Sequence, residues 1–158
     1  LVGMVWLCSL VSVVAQSVPQ VIPALQQWQP AKGKLVLPES GKVIVSSDEE
    51  GILKQSAEIL VQDLKEMFGW NYRVVVGKKE KEAVYLTLSK PDKTLGDEGY
   101  RMDIRNGVTI EAPTSKGVFW GTRTLLQMIH NQPEGLMKGL ATDFPLYPNR
   151  GFMIDVAR

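Results

Sequence analysis

The feature that most constrains the fold is one long stretch of helical periodicity in the first half of the chain. Apolar residues recur three or four positions apart, at Leu53, Ala57, Leu60, Leu64 and Phe68. This is the spacing of one helix face. The opposite face carries polar side chains such as Lys54 and Glu58. A helix with a single apolar stripe has to cover another element, so the sequence predicts a helix laid on a sheet.

Local signals mark the ends of this helix and predict a second one. Ser47 and Glu50 have the spacing of a capping box, and Gly69 supplies a left-handed C-terminal stop. The second helix is predicted over residues 115–129, where apolar and small side chains share one face: Val118, Thr122, Leu125, Leu126 and Ile129.

Short runs of alternating apolar residues surround the two helices. Strands are predicted at residues 34–37, 42–45, 73–76, 83–88, 99–104 and 108–112. Residues 21–23 could add an edge strand, because Pro23 argues against a central one. Asn106-Gly107 predicts a hairpin, since both residues accept a positive φ. Strict β-α alternation is absent, so the fold class predicted is α+β: a two-layer sandwich of a mostly antiparallel sheet with both helices on one face.

The beginning of the chain differs from the rest. Residues 1–15 carry no charge, contain an apolar run and end with small residues at Val13 and Ala15, which is typical of a secretory signal peptide. The run is shorter than the roughly 20 residues of a membrane span. Cys8 is the chain's one cysteine, but the residues before it do not favour a lipoprotein anchor. We therefore expect export to the periplasm or outside the cell, and an open reading frame that starts before Leu1.

Composition excludes several classes of function. Lys and Arg number 18 against 17 Asp and Glu, so the net charge of +1 gives no electrostatic case for nucleic acid or an anionic membrane. The mature part would have no cysteine and one histidine, His130, which argues against a zinc site. No cofactor is implied.

Candidate catalytic or ligand-binding residues are few in residues 16–143, the range predicted to form the α+β domain. Asp97 and Glu98 are adjacent, so on a strand they would point to opposite faces, and a solvated loop is the simpler interpretation. The acidic run 48–50 fits a helix N-terminus, and His130 fits a C-terminus. Gly117 and Gly121 lie one turn apart and predict close packing of the second helix on the sheet, because no phosphate-binding loop motif is present.

Residues 144–158 have a different character. A proline-stiffened linker precedes a run in which Phe152, Ile154 and Val156 share one face, with Asp155 on the other. This pattern fits the first strand of a barrel, with Arg158 at the rim where barrel enzymes place active-site groups. It fits equally well a last edge strand of the same domain, with Asp155 and Arg158 exposed.

Three stretches resemble glycoside hydrolase family 20, the β-N-acetylhexosaminidases. Residues 98–112 resemble the hairpin of the family's accessory domain. Residues 117–127, Gly-Val-Phe-Trp-Gly-Thr-Arg-Thr-Leu-Leu-Gln, resemble its helix, and residues 150–158, Arg-Gly-Phe-Met-Ile-Asp-Val-Ala-Arg, resemble the opening of its catalytic barrel. Residues 21–68 resemble the accessory domain more loosely. The resemblance favours the interpretation of 150–158 as the first strand of a truncated (β/α)8 barrel.

The resemblance implies a secreted exo-β-N-acetylhexosaminidase that releases terminal N-acetylglucosamine or N-acetylgalactosamine by substrate-assisted retaining hydrolysis. No residue of this chain matches the family's catalytic Asp-Glu pair, so this part alone is expected to be inactive. Arg158 matches the arginine that binds sugar hydroxyls, a task that suits the rigid donor fork of a guanidinium. Asp155 and Arg150 are taken as structural.

Two alternatives remain. A non-catalytic carbohydrate-binding module would need a platform of exposed aromatic rings, for which the candidates are Trp28, Trp70, Tyr72 and Trp120. Core burial is the expected fate of at least two of them. The related accessory domain of O-GlcNAc hydrolases or α-glucuronidases is the other alternative, and the Arg-Gly-x-x-x-Asp-x-x-Arg spacing speaks against it.

Overall fold

The computed structural model describes residues 18–147 and Gly151. Seven strands form one sheet: β1 Gln27–Leu35, β2 Ser40–Val45, β3 Asn71–Val76, β4 Val84–Leu88, β5 Tyr100–Ile104, β6 Val108–Ala112 and β7 Leu136–Asp143. The two helices are α1 Glu50–Phe68 and α2 Ser115–Asn131. The predicted signal peptide with Cys8, and the predicted barrel strand apart from Gly151, lie outside the described residues.

The α+β fold is confirmed, but the sheet is mixed and not mostly antiparallel. Its order is β1-β7-β5-β6-β4-β2-β3. The pairs β2–β3, β2–β4 and β4–β6 are parallel, whereas β1–β7, β5–β6 and β5–β7 are antiparallel. The pair β2–β3 is parallel because α1 crosses over between these two strands and returns the chain to the end from which β2 started.

Both helices lie on one face of the sheet and contact each other. Along β5 and β6, alternate residues such as Met102 and Ile110 are fully buried, while Arg101 and Glu111 between them are only partly covered. The buried residues meet the apolar stripe of α1, where Leu53, Ala57, Leu60 and Leu64 are all buried. The stripe that defined the sequence pattern therefore faces the core.

The predicted capping box at Ser47 and Glu50 is wrong. Residues Ser47–Glu49 form a single 3-10 turn, so α1 begins at Glu50, with Glu49 as an N-cap that makes no side-chain cap hydrogen bond. The turn moves Ser47 away from the cap position. Gly69 does end the helix as predicted, with φ of 73° and its N–H bonded to the Lys65 carbonyl.

The β5–β6 hairpin forms as predicted, but its turn does not use the positive φ that was expected at Asn106 and Gly107. Neither Asn106 nor Gly107 is among the described residues with positive φ. Glycine is needed at 107 because the backbone before β4 passes close by, and an added Cβ would lie 2.8 Å from the Ala83 carbonyl oxygen. Close approach, and not left-handed φ, is what this glycine permits.

Residues 21–23 are not an edge strand. Residues 18–26, hereafter the N-terminal strap, run past α2, and Gln127 holds their backbone. Its side chain accepts from the Ile22 N–H at 2.9 Å and donates to the Ile22 carbonyl at 3.1 Å. Asn131, one turn further along, donates to the Gln20 carbonyl at 2.7 Å. Side-chain amides thus satisfy the backbone groups that a neighbouring strand would have satisfied.

Candidate functional site

A cavity of about 410 Å³ lies at one end of the sheet. The N-terminal strap, α2 and residues 144–147, hereafter the exit segment, form its walls. Several apolar side chains in these walls are exposed: Ile22, Trp120, Leu146 and Tyr147. Scattered exposed apolar residues are ordinary, but a group gathered around one cavity indicates a contact surface.

Two glycines allow α2 to pack in close contact with the sheet. An added Cβ at Gly117 would collide with the carbonyl oxygen of Gly99, and one at Gly121 would lie 2.5 Å from Cγ2 of Ile110. The prediction that these glycines serve close packing is confirmed. Thr114 caps the helix by accepting from the Gly117 N–H at 3.3 Å, a cap that the sequence reasoning missed.

A polar cluster forms the floor of the cavity. The Tyr100 hydroxyl lies 2.6 Å from Oγ1 of Thr124 and donates to Oδ2 of Asp143 at 3.2 Å. Burial raises the pKa of Asp143, against the opposing effect of the hydrogen bonds from Gln26 and Tyr100. Burial likewise raises the pKa of the Tyr100 phenol, which stays neutral. These three residues lie far apart in the sequence and match no motif, so pattern analysis could not have found them.

Arg123 also lines the cavity, but its charge is already engaged. Nη1 lies 2.5 Å from Oδ2 of Asp63 on α1, and the guanidinium sits 4.8 Å from the centre of the Phe119 ring. Both members of the ion pair are about three-quarters covered, with side-chain exposures of 26% and 25%. The pair therefore joins the two helices and leaves this guanidinium unsuited to capturing an anionic ligand.

We expect Arg123→Lys to reduce the free energy of unfolding by about 1 kcal/mol, because lysine keeps the charge but loses the planar contact with Phe119 and the guanidinium geometry. Thermal unfolding measures this. The matched control is Lys54→Met, which removes the exposed Glu50–Lys54 pair with its 3.8 Å separation and should change stability by less than about 0.5 kcal/mol. Equal losses in the two variants would contradict the assigned role.

The other candidates from the sequence have structural explanations. Asp97 is exposed in a loop, and its backbone carbonyl accepts from Thr114. Glu98 borders the cavity, and His130 lies exposed in the last turn of α2. In the part of the chain described, no group of three or more His, Cys, Asp or Glu side chains could hold a metal ion. The described helices also include none long and apolar enough to cross a membrane.

The aromatic residues do not form an exposed platform. Tyr72 is buried, its hydroxyl donates to the Pro38 carbonyl, and burial raises its pKa to about 12. Trp70 stacks on it with ring centres 5.9 Å apart, and Trp28 packs against the core. Of the four candidates, Trp120 alone is exposed. This distribution does not favour a stand-alone carbohydrate-binding module.

Residues 18–144 match the family description "Glycosyl hydrolase family 20, domain 2". That range contains all seven strands and both helices. The chain belongs to glycoside hydrolase family 20.

Curated relatives agree with this assignment. The family 20 domain is 31% identical over 135 residues to a lacto-N-biosidase of Bifidobacterium bifidum, which covers 84% of this chain and 12% of that protein. It is 26% identical over 149 residues to a beta-hexosaminidase of Porphyromonas gingivalis, covering 87% of this chain and 19% of that protein. The chain thus spans less than a fifth of the length of these two relatives.

Solved structures show the same fold. A family 20 beta-N-acetylhexosaminidase of Streptomyces coelicolor superposes with a TM-score of 0.68 and 28% identity, covering 84% of this chain and 28% of that chain. A mutant beta-hexosaminidase of Streptomyces plicatus, solved in complex with its product GlcNAc, superposes with a TM-score of 0.68 and 26% identity. The match again covers 84% of this chain and 28% of that chain. Arg158, the predicted sugar-binding residue, lies outside the described residues, as do Asp155 and Arg150, so their roles stay predictions.

Proposed function

We propose that this chain is the N-terminal part of an exported exo-β-N-acetylhexosaminidase that removes terminal N-acetylglucosamine or N-acetylgalactosamine from glycans. The observation that carries the proposal is the family match, which covers the entire described fold. The names of the relatives support a glycosidase acting on hexosamine-containing glycans. The uncharged residues 1–15 support export, with delivery to the periplasm or the extracellular space.

In this proposal the chemistry belongs to a barrel of which residues 150–158 are the first strand. The substrate's acetamido oxygen attacks the anomeric carbon, while an Asp-Glu pair from a continuation of the polypeptide orients the acetamido group and transfers the proton. Arg158 stands at the carboxyl end of the strand and donates to sugar hydroxyls through its guanidinium. The family 20 domain contributes no reacting group.

The exit segment leaves the domain beside the cavity, with the Tyr147 side chain 71% exposed. In the longer enzyme the catalytic part would therefore begin next to the exposed Ile22, Trp120 and Leu146. We propose that the catalytic part covers these three side chains, because the burial of exposed apolar surface lowers the free energy.

We expect the purified 158-residue chain to show no turnover of an aryl N-acetylglucosaminide, because no residue in it matches the family's catalytic Asp-Glu pair. The product of a reading frame extended past Arg158 should hydrolyse the same substrate. A barrel of about 250 residues carrying an Asp-Glu dipeptide should appear in that extension. Turnover by the 158-residue chain, or an extended product without activity, would overturn the proposal.

A further inference from the structure

Two ends of the domain meet at the carboxylate of Asp143, the last residue of β7. Its Oδ1 accepts from the backbone N–H of Gln26 at 3.3 Å, at the point where the N-terminal strap enters β1. Its Oδ2 accepts from the Tyr100 hydroxyl on β5 at 3.2 Å. One side chain thus connects the strap, the centre of the sheet and the start of the exit segment.

The hydrogen bonds in this cluster have a defined direction. An ionised carboxylate only accepts, so the single proton of the Tyr100 hydroxyl points to Asp143. Thr124 on α2 then donates to Tyr100 across 2.6 Å. The two hydrogen bonds therefore run in one direction, from Thr124 to Tyr100 and from Tyr100 to Asp143. A neutral Asp143 carboxyl group could instead donate to the Tyr100 hydroxyl, which would then donate to Thr124. This reverses the direction of both hydrogen bonds, and the two hydroxyl oxygens and Oδ2 of Asp143 all keep a partner.

Within residues 18–147, no cation is paired with the Asp143 carboxylate. None of the ion pairs among the described residues includes Asp143. Of the charged groups that border the same cavity, Arg123 on α2 is paired with Asp63, and Glu98 before β5 is itself acidic. The groups that contact Asp143 directly from the strap and from β5 are an amide and a phenol. The ionised form is therefore half-buried with neutral donors only, and this environment disfavours charge.

We propose that the Asp143 carboxyl group is a proton-operated clasp: it fastens the N-terminal strap to the sheet, and fastens it more tightly when it is neutral than when it is ionised. On acidification the carboxylate takes up one proton from solvent and keeps it. The neutral carboxyl group then donates a hydrogen bond to the Tyr100 hydroxyl through Oδ2 and still accepts from the Gln26 N–H through Oδ1. The ionised group keeps both contacts but leaves a half-buried charge uncompensated.

The expected pH dependence follows from linkage. A group whose folded pKa is raised contributes stability that is fully present below its unfolded value, here 3.8, and is lost as the pH rises through the folded value. Acidification from neutral pH should therefore stabilise the attachment of the N-terminal strap to Asp143. This is opposite to the usual effect of acid on carboxylates that are ion-paired.

Hydrogen exchange on the 158-residue chain tests the clasp. We expect the protection factor of the Gln26 amide to fall several-fold between pH 4 and pH 7. In Asp143→Asn, whose amide is neutral at every pH and can both accept from Gln26 and donate to Tyr100, protection should be independent of pH. Asp97→Asn, a change at an exposed carboxylate in a loop, is the matched control and should keep the wild-type profile.

A second measurement covers the possibility that Asp143→Asn disturbs the fold. The carboxyl carbon of Asp143 in the unmodified chain can be titrated by NMR, and its midpoint should lie above 3.8. A midpoint at or below that value would overturn the clasp. So would an unchanged pH profile in a folded Asp143→Asn, or loss of the profile in Asp97→Asn.

Discussion

Gly117→Ala is expected to lower the melting temperature of this domain by roughly 8 °C. The new Cβ would collide with the Gly99 carbonyl oxygen and lie 2.7 Å from Cβ of Ala112, so α2 has to move away from the sheet. Overpacking of this kind costs about 3 kcal/mol. The higher helix propensity of alanine returns about 1 kcal/mol. The net loss of about 2 kcal/mol corresponds to that shift in a domain of this size.

Gly51→Ala is the matched control for this prediction. Gly51 lies near the start of α1 with no atom within 4 Å of an added Cβ, so alanine gains helix propensity without a collision. Its melting temperature should equal or exceed that of the unmodified chain. If both substitutions stabilise, then α2 does not rest on the backbone before β5 as described.

Arg158→Met should reduce kcat/KM of the proposed longer enzyme roughly ten- to a hundredfold, with the expressed yield unchanged. The reason is the loss of charge-assisted hydrogen bonds to sugar hydroxyls, each of which contributes about 1.5–3 kcal/mol. A tenfold change in rate corresponds to about 1.4 kcal/mol. Steady-state kinetics with an aryl N-acetylglucosaminide measures the effect.

Arg73→Met controls for the general loss of a positive charge, because Arg73 is an exposed residue of β3 in the family 20 domain. It should leave kcat/KM unchanged. If Arg158→Met retained full activity, the sugar-binding role assigned to Arg158 would be wrong, although the family membership would not be affected.

The helices and most strands could be predicted because their apolar periodicity directly reflects burial on one face. The strand β1 was predicted only in part, because the strand expected at 34–37 shares just two residues with Gln27–Leu35. The strand β7 could not be predicted at all. It contains Lys138, Gly139 and Asp143, which have low strand propensity, and it is a strand because β1 and β5 pair with it on either side. Gly139 also makes room for the Trp28 ring, since an added Cβ there would lie 2.5 Å from the indole. Pairing across the chain overrides local preference here.

The mixture of parallel and antiparallel pairs in the sheet could not be predicted, for a related reason. Alternation along a strand shows which face is buried, but it is the same for parallel and antiparallel partners. The polar cluster was hidden because Tyr100 and Asp143 come from different strands and Thr124 from a helix. Only the folded arrangement brings a phenol, a hydroxyl and a carboxylate to the floor of one cavity.

The position of β7 has a consequence for how the chain acquires its structure during synthesis. As an edge strand, β1 pairs only with β7, and the register joins Trp28 to Ala141, residues more than a hundred positions apart. The ribosome therefore makes the first strand long before its partner exists. Until residue 143 has left the exit tunnel, β1 has no partner strand and β5 lacks one of its two neighbours. Unpaired strands of this kind invite association with other chains. Pairing of β1 is consequently among the last steps of folding during synthesis, after the whole of β7 has emerged.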